Sequence, residues 1–379
     1  MGSNHDGGYA GKNNKDVQYF DSDFSFKEHA AECTAQLESS EAGDNESIPI
    51  SAHLTEEDND DDDDDNNDLL PQSQSKVWDA FHSHHSAGNF YKPRRYLTKS
   101  FPCILQYFEH GNSNSSTSDG GGNGDGGDRI LLEIGCGSGS SCIPIIKRCS
   151  EIECAGVPGD EGDNKEQKNV LLACDSSPVA VETTRRFIDK MMEKDDVVAK
   201  SRDLSFGVFV ADPSLCAGES DNVPFLHEVK SAYEQLTSKG PDGPDDVDRG
   251  IVGIVLMVFV LSAVTPSRVD RFLQQVYRTM KPGGKVCFRD YGLYDMPMLR
   301  FPPAARKSSS APSEDPVFVR GEGTIARFFS VEATKESFES AGFSTVELRY
   351  CTVFNHNRKT GQKLKRVFVH GVFEKPIVL

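Results

Sequence analysis

Six residues whose types could do chemistry fall where apolar segments end. Glu133, Gly135, Gly137 and Gly139 lie in "LLEIGCGSGS", Asp175 closes "NVLLACD", and Asp212 closes "SFGVFVAD". Glycines at a strand-to-helix junction let the backbone turn sharply and let a ligand come closer than any Cβ permits. An acid ending the next strand is placed to accept hydrogen bonds from ribose hydroxyls. Gly135 and Asp175 are 40 residues apart, against about 20 in the usual dinucleotide fingerprint. The polar insertion "EIECAGVPGDEGDNKEQK" accounts for the excess. Three strand-end features in register point to an adenosine-containing cofactor, with NAD and S-adenosylmethionine both open at this point.

A second cluster lies in "KVCFRDYGLYDMPMLRF". An apolar segment runs straight into Arg289, Asp290 and Tyr291, and Arg300 follows. Asp290 is the candidate catalytic carboxylate, at the carboxyl end of a strand where open α/β sheets bind ligands. Tyr291 is suited to stack on a planar acceptor, and Arg289 and Arg300 to hold phosphates or brace Asp290. The plainer alternative is an Arg289–Asp290 pair that stabilises the strand end, with Tyr291 as packing.

The elements needed to position these residues follow from the rhythm of the chain. "RILLEIG", "NVLLACD", "SFGVFVAD", "GIVGIVLMVFVLS" and "KVCF" read as strands, separated by the helical patterns "SSCIPIIKRC", "SPVAVETTRRFIDKMMEK" and "PSRVDRFLQQVYRTMKPGG". Alternation of this kind predicts a parallel sheet covered on both faces. Residues 213–250 read as a polar, Pro/Gly-rich stretch. "SVEATKESFESAGF" is a further helix with Ser330 as N-cap, and "TVELRYCTVF" with "LKRVFVHGVFEK" reads as a closing antiparallel hairpin. The expected fold is a Rossmann-like α/β domain with a mostly parallel seven-stranded sheet.

Charge and composition divide the chain. The formal net charge is −18, but residues 1–75 hold 20 acids against three lysines. Residues 1–74 therefore read as a disordered acidic tail. Residues 75–110 form an aromatic and basic segment holding Trp78, residues 111–128 a Gly/Ser linker, and residues 129–379 the catalytic domain. From Arg289 onward there are 14 Lys/Arg and 10 Asp/Glu, room for a polyanionic partner. The ten cysteines show no zinc spacing, and the histidines at 82, 84 and 85 lack acid or cysteine partners nearby, so no metal is expected. Reduced thiols, the lack of any apolar run of 18 residues, and no visible targeting segment lead to an expectation of a cytoplasmic or nuclear protein without a membrane span.

The spacing Glu133-Gly135-Gly137-Gly139, the acid after strand three, "MKPGG" before strand five and the terminal hairpin together resemble class I S-adenosylmethionine methyltransferases. More narrowly, "FVLSA", "FRDYGLYD" and "MLRF", with "WDAFHSHHSAGNFYKPRRYL" upstream and "RVFVHGVFEKP" at the end, resemble the eukaryotic methyltransferase-like family that forms 3-methylcytidine in tRNA anticodon loops. The resemblance runs from Trp78 to Pro376. It implies S-adenosylmethionine as cofactor and tRNA as substrate, with an aminoacyl-tRNA synthetase or another tRNA-presenting protein as a candidate partner. It also implies that Trp78 and His82 enclose the cofactor, that Glu133, Gly135, Gly137, Gly139, Asp175 and Asp212 belong to its site, and that Val258 lines the adenine pocket. Lys92, Arg94, Arg95, Arg300 and Arg366 become the candidate RNA contacts. The chain departs from the family in having His82 where Tyr is usual and "YKPRRY" in place of "FKDRHW".

The implied chemistry is modest in its demands. Cytosine N3 carries a lone pair, so its attack on an activated methyl needs no general base. Catalysis reduces to in-line positioning and stabilisation of the positive charge developing on the ring. The base must be unpaired or flipped out to expose N3. Two other readings share the cofactor half: a small-molecule methyltransferase, and a non-catalytic RNA-binding subunit that kept the fold.

Overall fold

The computed structural model describes residues 22–41, 71–85, 92–110, 127–155, 168–195, 198, 204–215, 224–238, 249–301, 315–356, 361 and 363–377. The acidic run and most of the Gly/Ser linker lie outside the described residues.

Five strands form the parallel part of the sheet: β1 (Arg129–Ile134), β2 (Asn169–Asp175), β3 (Leu204–Val210), β4 (Val252–Val258) and β5 (Met280–Tyr291). Strand β9 (Lys363–Glu374) pairs antiparallel with β5, and β8 (Ser344–His356) closes the edge, giving the order β3-β2-β1-β4-β5-β9-β8. The expected seven-stranded architecture is present. The order reverses between β1 and β4, the switch point at which open sheets leave a crevice beyond their strand ends. All seven residues of β4 are buried, as a strand covered on both faces must be.

Helices α5 (Cys142–Ala155), α6 (Pro178–Lys194), α7 (Pro224–Thr237), α8 (Val269–Thr279) and α10 (Val331–Ser340) cover the sheet. Local chemistry sets their starts. Ser177 caps α6 by accepting from the Ala180 amide at 3.2 Å, and Ser330 caps α10 by accepting from Ala333 at 3.1 Å. Helix α8 repeats apolar residues at Val269, Phe272, Leu273 and Val276, all buried against the sheet.

The structure departs from the sequence reading at several elements. Helix α7 occupies part of the stretch read as irregular, burying Phe225, Leu226, Val229 and Tyr233. Helix α1 (Phe26–Glu41) stands within the segment read as a disordered tail. It is held at the β8 edge: Asp23 donates its amide to Thr352 O at 2.7 Å, and the Phe26 ring stacks on Tyr350 at 3.6 Å. A small antiparallel hairpin, β6 (Val317–Val319) and β7 (Ile325–Arg327), follows the short helix α9 (Met296–Arg300). Before the sheet, α2 (Pro71–His84), α3 (Leu97–Ser100) and α4 (Cys103–His110) carry the aromatic and basic segment.

Candidate active site

Strand β1 delivers the glycine loop. Gly135 and Gly137 adopt φ of +71° and +54°, a region that L side chains rarely occupy. A Cβ at Gly135 would lie 2.5 Å from Val260 Cγ2, so the loop needs glycine there for both conformation and space. Asp175, at the end of β2, ties this loop down. Its Oδ2 accepts from the Gly137 amide at 2.9 Å and its Oδ1 from the Ser177 amide at 3.0 Å. Burial raises the Asp175 pKa, opposed first by the nearby His82. Asp212 accepts from the Ser214 amide at 2.9 Å.

A cavity of about 320 Å³ opens at these strand ends. Its wall brings together Trp78, His82, Arg94, Gly135, Gly137, Asp175, Asp212, Val258 and Tyr291 from the sequence reading. Helix α2 closes one side. Ser75 Oγ donates to Ser176 O at 3.2 Å, seating the first turn of α2 on the turn after β2. Burial lowers the His82 pKa, Asp175 and Asp79 opposing the shift.

Two residues of the glycine motif stand behind the wall. A Cβ at Gly139 would meet Ile143 and Thr184, so this glycine allows α5 and α6 to pack closely. Glu133 is 1% exposed under the loop, and desolvation raises its pKa to about 7 against the nearby Arg94. Arg94 was read as an RNA contact. The structure turns it inward: its Nη1 donates to Ser141 Oγ at 2.8 Å, and its guanidinium lies 5.1 Å from the Phe259 ring centroid.

The acceptor side corrects the reading of "CFRDY". Strand β5 does not end at Phe288 but continues through Tyr291, pairing Arg289, Asp290 and Tyr291 with His370, Val369 and Phe368 of β9. Asp290 is fully buried and forms no part of the cavity wall. Its Oδ2 accepts from the Ser262 amide and its Oδ1 from the Tyr291 amide, both at 2.9 Å. Desolvation raises its pKa to about 6, those hydrogen bonds opposing it. Because Ser262 and Tyr291 both line the cavity, Asp290 is a positioning group. Arg289, 2% exposed, lies under Phe368 (4.7 Å) and Tyr96 (5.3 Å) and is likewise no wall residue.

Tyr291 is the member of this trio that reaches the cavity. Phe259, itself at φ +61°, stacks on it at 4.9 Å and 29°. Arg320 lies 5.9 Å from its centroid. With Arg94 on Phe259, the wall becomes a ladder in which the stacked rings of Phe259 and Tyr291 lie between the cationic side chains of Arg94 and Arg320. Arg320 and Glu322 come from the β6–β7 hairpin tip. Sequence reasoning passed over them because "VRGEGT" shows no periodic signal. Gln74, Phe259 and Ser262 were also passed over.

Lys92, Arg95 and Arg300 are exposed. Arg366 is not available as a phosphate contact. Its Nε and Nη2 donate to the two carboxylate oxygens of the fully buried Asp295 at 2.7 and 2.9 Å. No group of His, Cys, Asp or Glu among the described residues is arranged to hold a metal, and Cys33, Cys103, Cys136, Cys142, Cys149, Cys174, Cys287 and Cys351 are free thiols.

Comparison with known proteins adds to this geometry. No family model matches the chain. The tRNA N(3)-cytidine methyltransferase METTL6 of Rattus norvegicus is 30% identical over 307 residues, covering 81% of this chain and 81% of that protein. The chain belongs to the tRNA N(3)-cytidine methyltransferase family. Human METTL6 is 29% identical over 308 residues, covering 81% of this chain and 82% of its own length. The tRNA N(3)-methylcytidine methyltransferase Mettl2 of Drosophila melanogaster is 28% identical over 305 residues, covering 80% of this chain and 71% of that protein. No described helix of this family member is long and apolar enough to cross a membrane.

Proposed function

We propose that the protein is an S-adenosylmethionine-dependent methyltransferase acting on N3 of an unpaired cytidine in a tRNA anticodon loop. One observation carries this reading. A single cavity joins the glycine loop and two strand-end acids to a wall of Phe259, Tyr291, Arg94 and Arg320. The first part suits a nucleoside with a charged tail, and the second a flat base with phosphates beside it.

The residues present fit the cofactor. The loop backbone faces the cavity without side chains at Gly135 and Gly137, and a Cβ at Gly137 would meet only His82 Cε1, at 3.6 Å. Trp78, Val258, Val260, Val264 and Phe272 supply apolar wall between the acids. When bound, S-adenosylmethionine supplies an electrophilic methyl on a sulfonium. What the chain contributes is placement. Asp175 fixes the glycine loop, Asp290 fixes the backbone at Ser262 and Tyr291, and the ladder orients the base so that its N3 lone pair points into the cavity. Helix α2 and the hairpin tip flank the cavity and approach each other where a Cβ on Gly323 would lie 3.5 Å from Val77. Lys92, Arg95 and Arg300 remain candidate phosphate contacts. A synthetase or another tRNA-presenting protein remains the candidate partner.

The reading is tested by measuring transfer of labelled methyl into total tRNA and mapping the modified nucleoside by mass spectrometry. Label in 3-methylcytidine supports it; label only in metabolites favours a small-molecule enzyme, and cofactor binding without transfer favours a scaffold. Asp175→Ala removes the acceptor of two backbone amides, each bond to a carboxylate worth about 1.5–3 kcal/mol. Its affinity for S-adenosylhomocysteine, read by calorimetry, is expected to fall by roughly a hundredfold or more.

A further inference from the structure

Asp290 forms no part of the cavity wall, so a carboxylate that meets the acceptor must come from another element. The acids on the described wall are Asp175, Asp212 and Glu322. Asp175 ends β2, three strand spacings or roughly 14 Å across the sheet from β5. Both its oxygens already accept backbone amides. Asp212 follows β3, one spacing further out, and accepts from Ser214. Glu322 belongs instead to the β6–β7 hairpin, which is anchored on the end of β5. The Phe329 amide donates to Tyr291 O at 2.8 Å, and the Leu293 amide to Phe329 O at 3.0 Å.

The hairpin tip holds this carboxylate in place. The Gly323 amide donates to Arg320 O at 2.8 Å, closing a turn around Gly321 and Glu322, with Gly323 at φ +84°. Thr324, fully buried, donates its hydroxyl to Glu322 Oε1 at 2.9 Å and accepts from Arg320 Nη1 at 3.0 Å. Arg320 in turn lies over the Tyr291 ring. One chain of contacts thus links Tyr291, Arg320, Thr324 and Glu322. Thr324 takes one of about four acceptor positions on the carboxylate, and Glu322 is exposed at the cavity.

We infer that Glu322 is a specificity residue for the acceptor, its carboxylate accepting a hydrogen bond from the exocyclic amine of cytosine beside the N3 that is methylated. This inference rests on the reading of the cavity as a cytidine N3-methyltransferase site. An acidic side chain is the group that accepts from the cytosine amine, and it turns away the oxo group of uracil. The flow of charge favours the same pairing. N3 forms the bond to the methyl carbon, the carbon–sulfur pair leaves with sulfur, and no proton is lost at N3. The positive charge ends on the ring, shared by N3 and the amine. A hydrogen bond from that amine to a carboxylate is therefore stronger in the transition state than before it, the condition for raising the rate.

The test uses the tRNA that takes up label from the wild type, rebuilt with cytidine or with the pyrimidin-2-one ribonucleoside at the modified position. The pyrimidinone keeps the N3 lone pair and carries hydrogen in place of the amine. Binding of each RNA and transfer of methyl to it are measured with full-length wild type, Glu322→Ala and Glu322→Gln. Affinity for S-adenosylhomocysteine and melting temperature are recorded alongside. Loss of one hydrogen bond to a charged group is expected to lower kcat/KM of Glu322→Ala by roughly tenfold to a hundredfold on the cytidine RNA, and by less than about threefold on the pyrimidinone RNA. Glu322→Gln, which keeps an oxygen for Thr324, is expected to show a loss confined to the cytidine RNA as well. Both variants are expected to match wild type in melting and in cofactor-product binding. An equal loss on both RNAs overturns the inference and leaves Glu322 as a brace of the hairpin. Wild-type transfer to the cytidine RNA by Glu322→Ala overturns it too. Absence of transfer to tRNA cytidine by the wild type overturns the cytidine reading and this inference together.

Discussion

Asp290→Ala is expected to lower the stability of the protein and its affinity for S-adenosylhomocysteine together, and with them methyl transfer. A catalytic carboxylate in contact with the base would give a different result: normal folding, normal cofactor binding, and no product. The geometry decides between them. Asp290 is fully buried and accepts from two amides, Ser262 and Tyr291, whose residues both line the cavity. Truncation to Ala leaves two buried N–H groups without an acceptor, at about 1–3 kcal/mol each. The pH dependence carries a sign that can be checked. The pKa of Asp290 in the folded protein, about 6, lies above the ordinary carboxylate value of 3.8. The folded state therefore holds its proton where the unfolded chain has lost it, and wild-type stability falls as pH rises from about 4 to about 6. Asp290→Ala lacks that slope. Its deficit, measured by urea unfolding, should be larger near pH 4.5 than at pH 7.5, by roughly 3 kcal/mol at most. Wild-type melting and cofactor binding with abolished transfer would instead place the Asp290 carboxylate against the acceptor.

Why the sequence made Asp290 look catalytic is instructive. "KVCF" followed by Arg-Asp-Tyr reads as a strand that stops, because charged residues seldom continue a buried strand. Here the strand continues. Aromatic faces cover Arg289, and β9 supplies backbone pairing across Asp290 and Tyr291. Those partners come from residues 96 and 368–370, too far along the chain for any local pattern to reveal. The cofactor half was more legible. Glycines at a turn and acids at strand ends are positional features, set by the exits of β1, β2 and β3, and positions in a parallel sheet follow from the alternation of apolar runs. Even there, spacing did not distinguish wall from support: Gly139 faces α5 and α6, and Glu133 lies beneath the loop. Helix α7 was hidden for a different reason. The Pro, Gly and Asp that flank it dominate the composition of 213–250, while Phe225, Val229 and Tyr233 keep the four-residue repeat of a buried helical face. The β6–β7 hairpin, source of Arg320 and Glu322, has strands of three residues each, too short for alternation to register.

Arg366 gives the other large effect, and it separates two roles that sequence counting merges. As one of a cluster of basic residues in the terminal hairpin it suggests a phosphate contact. In the fold it forms a two-pronged pair with Asp295, which also accepts from the amides of Val367 at 2.9 Å and Met296 at 3.0 Å. This pair fixes the entry to α9 against β9, directly after the Tyr291 segment. Desolvation pushes the Asp295 pKa up, and the Arg366 guanidinium is the first group holding it down. Removing the guanidinium leaves a buried carboxylate uncompensated, a loss of about 3–5 kcal/mol. Arg366→Ala should therefore unfold at clearly lower denaturant, and the deficit should grow as pH rises above the carboxylate range, because protonation relieves the orphaned charge at low pH. Asp295→Ala made in the same chain should restore part of the loss, the signature of a coupled pair. tRNA binding supplies the complementary measurement. A lost phosphate contact reduces the slope of log affinity against log salt by about one. Corrected for the folded fraction, Arg366→Ala should leave that slope unchanged, whereas Lys92→Ala and Arg95→Ala, at exposed positions, should each lower it. A reduced slope in Arg366→Ala with wild-type stability would return Arg366 to the RNA surface and make Asp295 an incidental neighbour. Deleting one buried aspartate and deleting the partner of the other thus leave opposite pH signatures: the deficit of Asp290→Ala shrinks with rising pH, and that of Arg366→Ala grows.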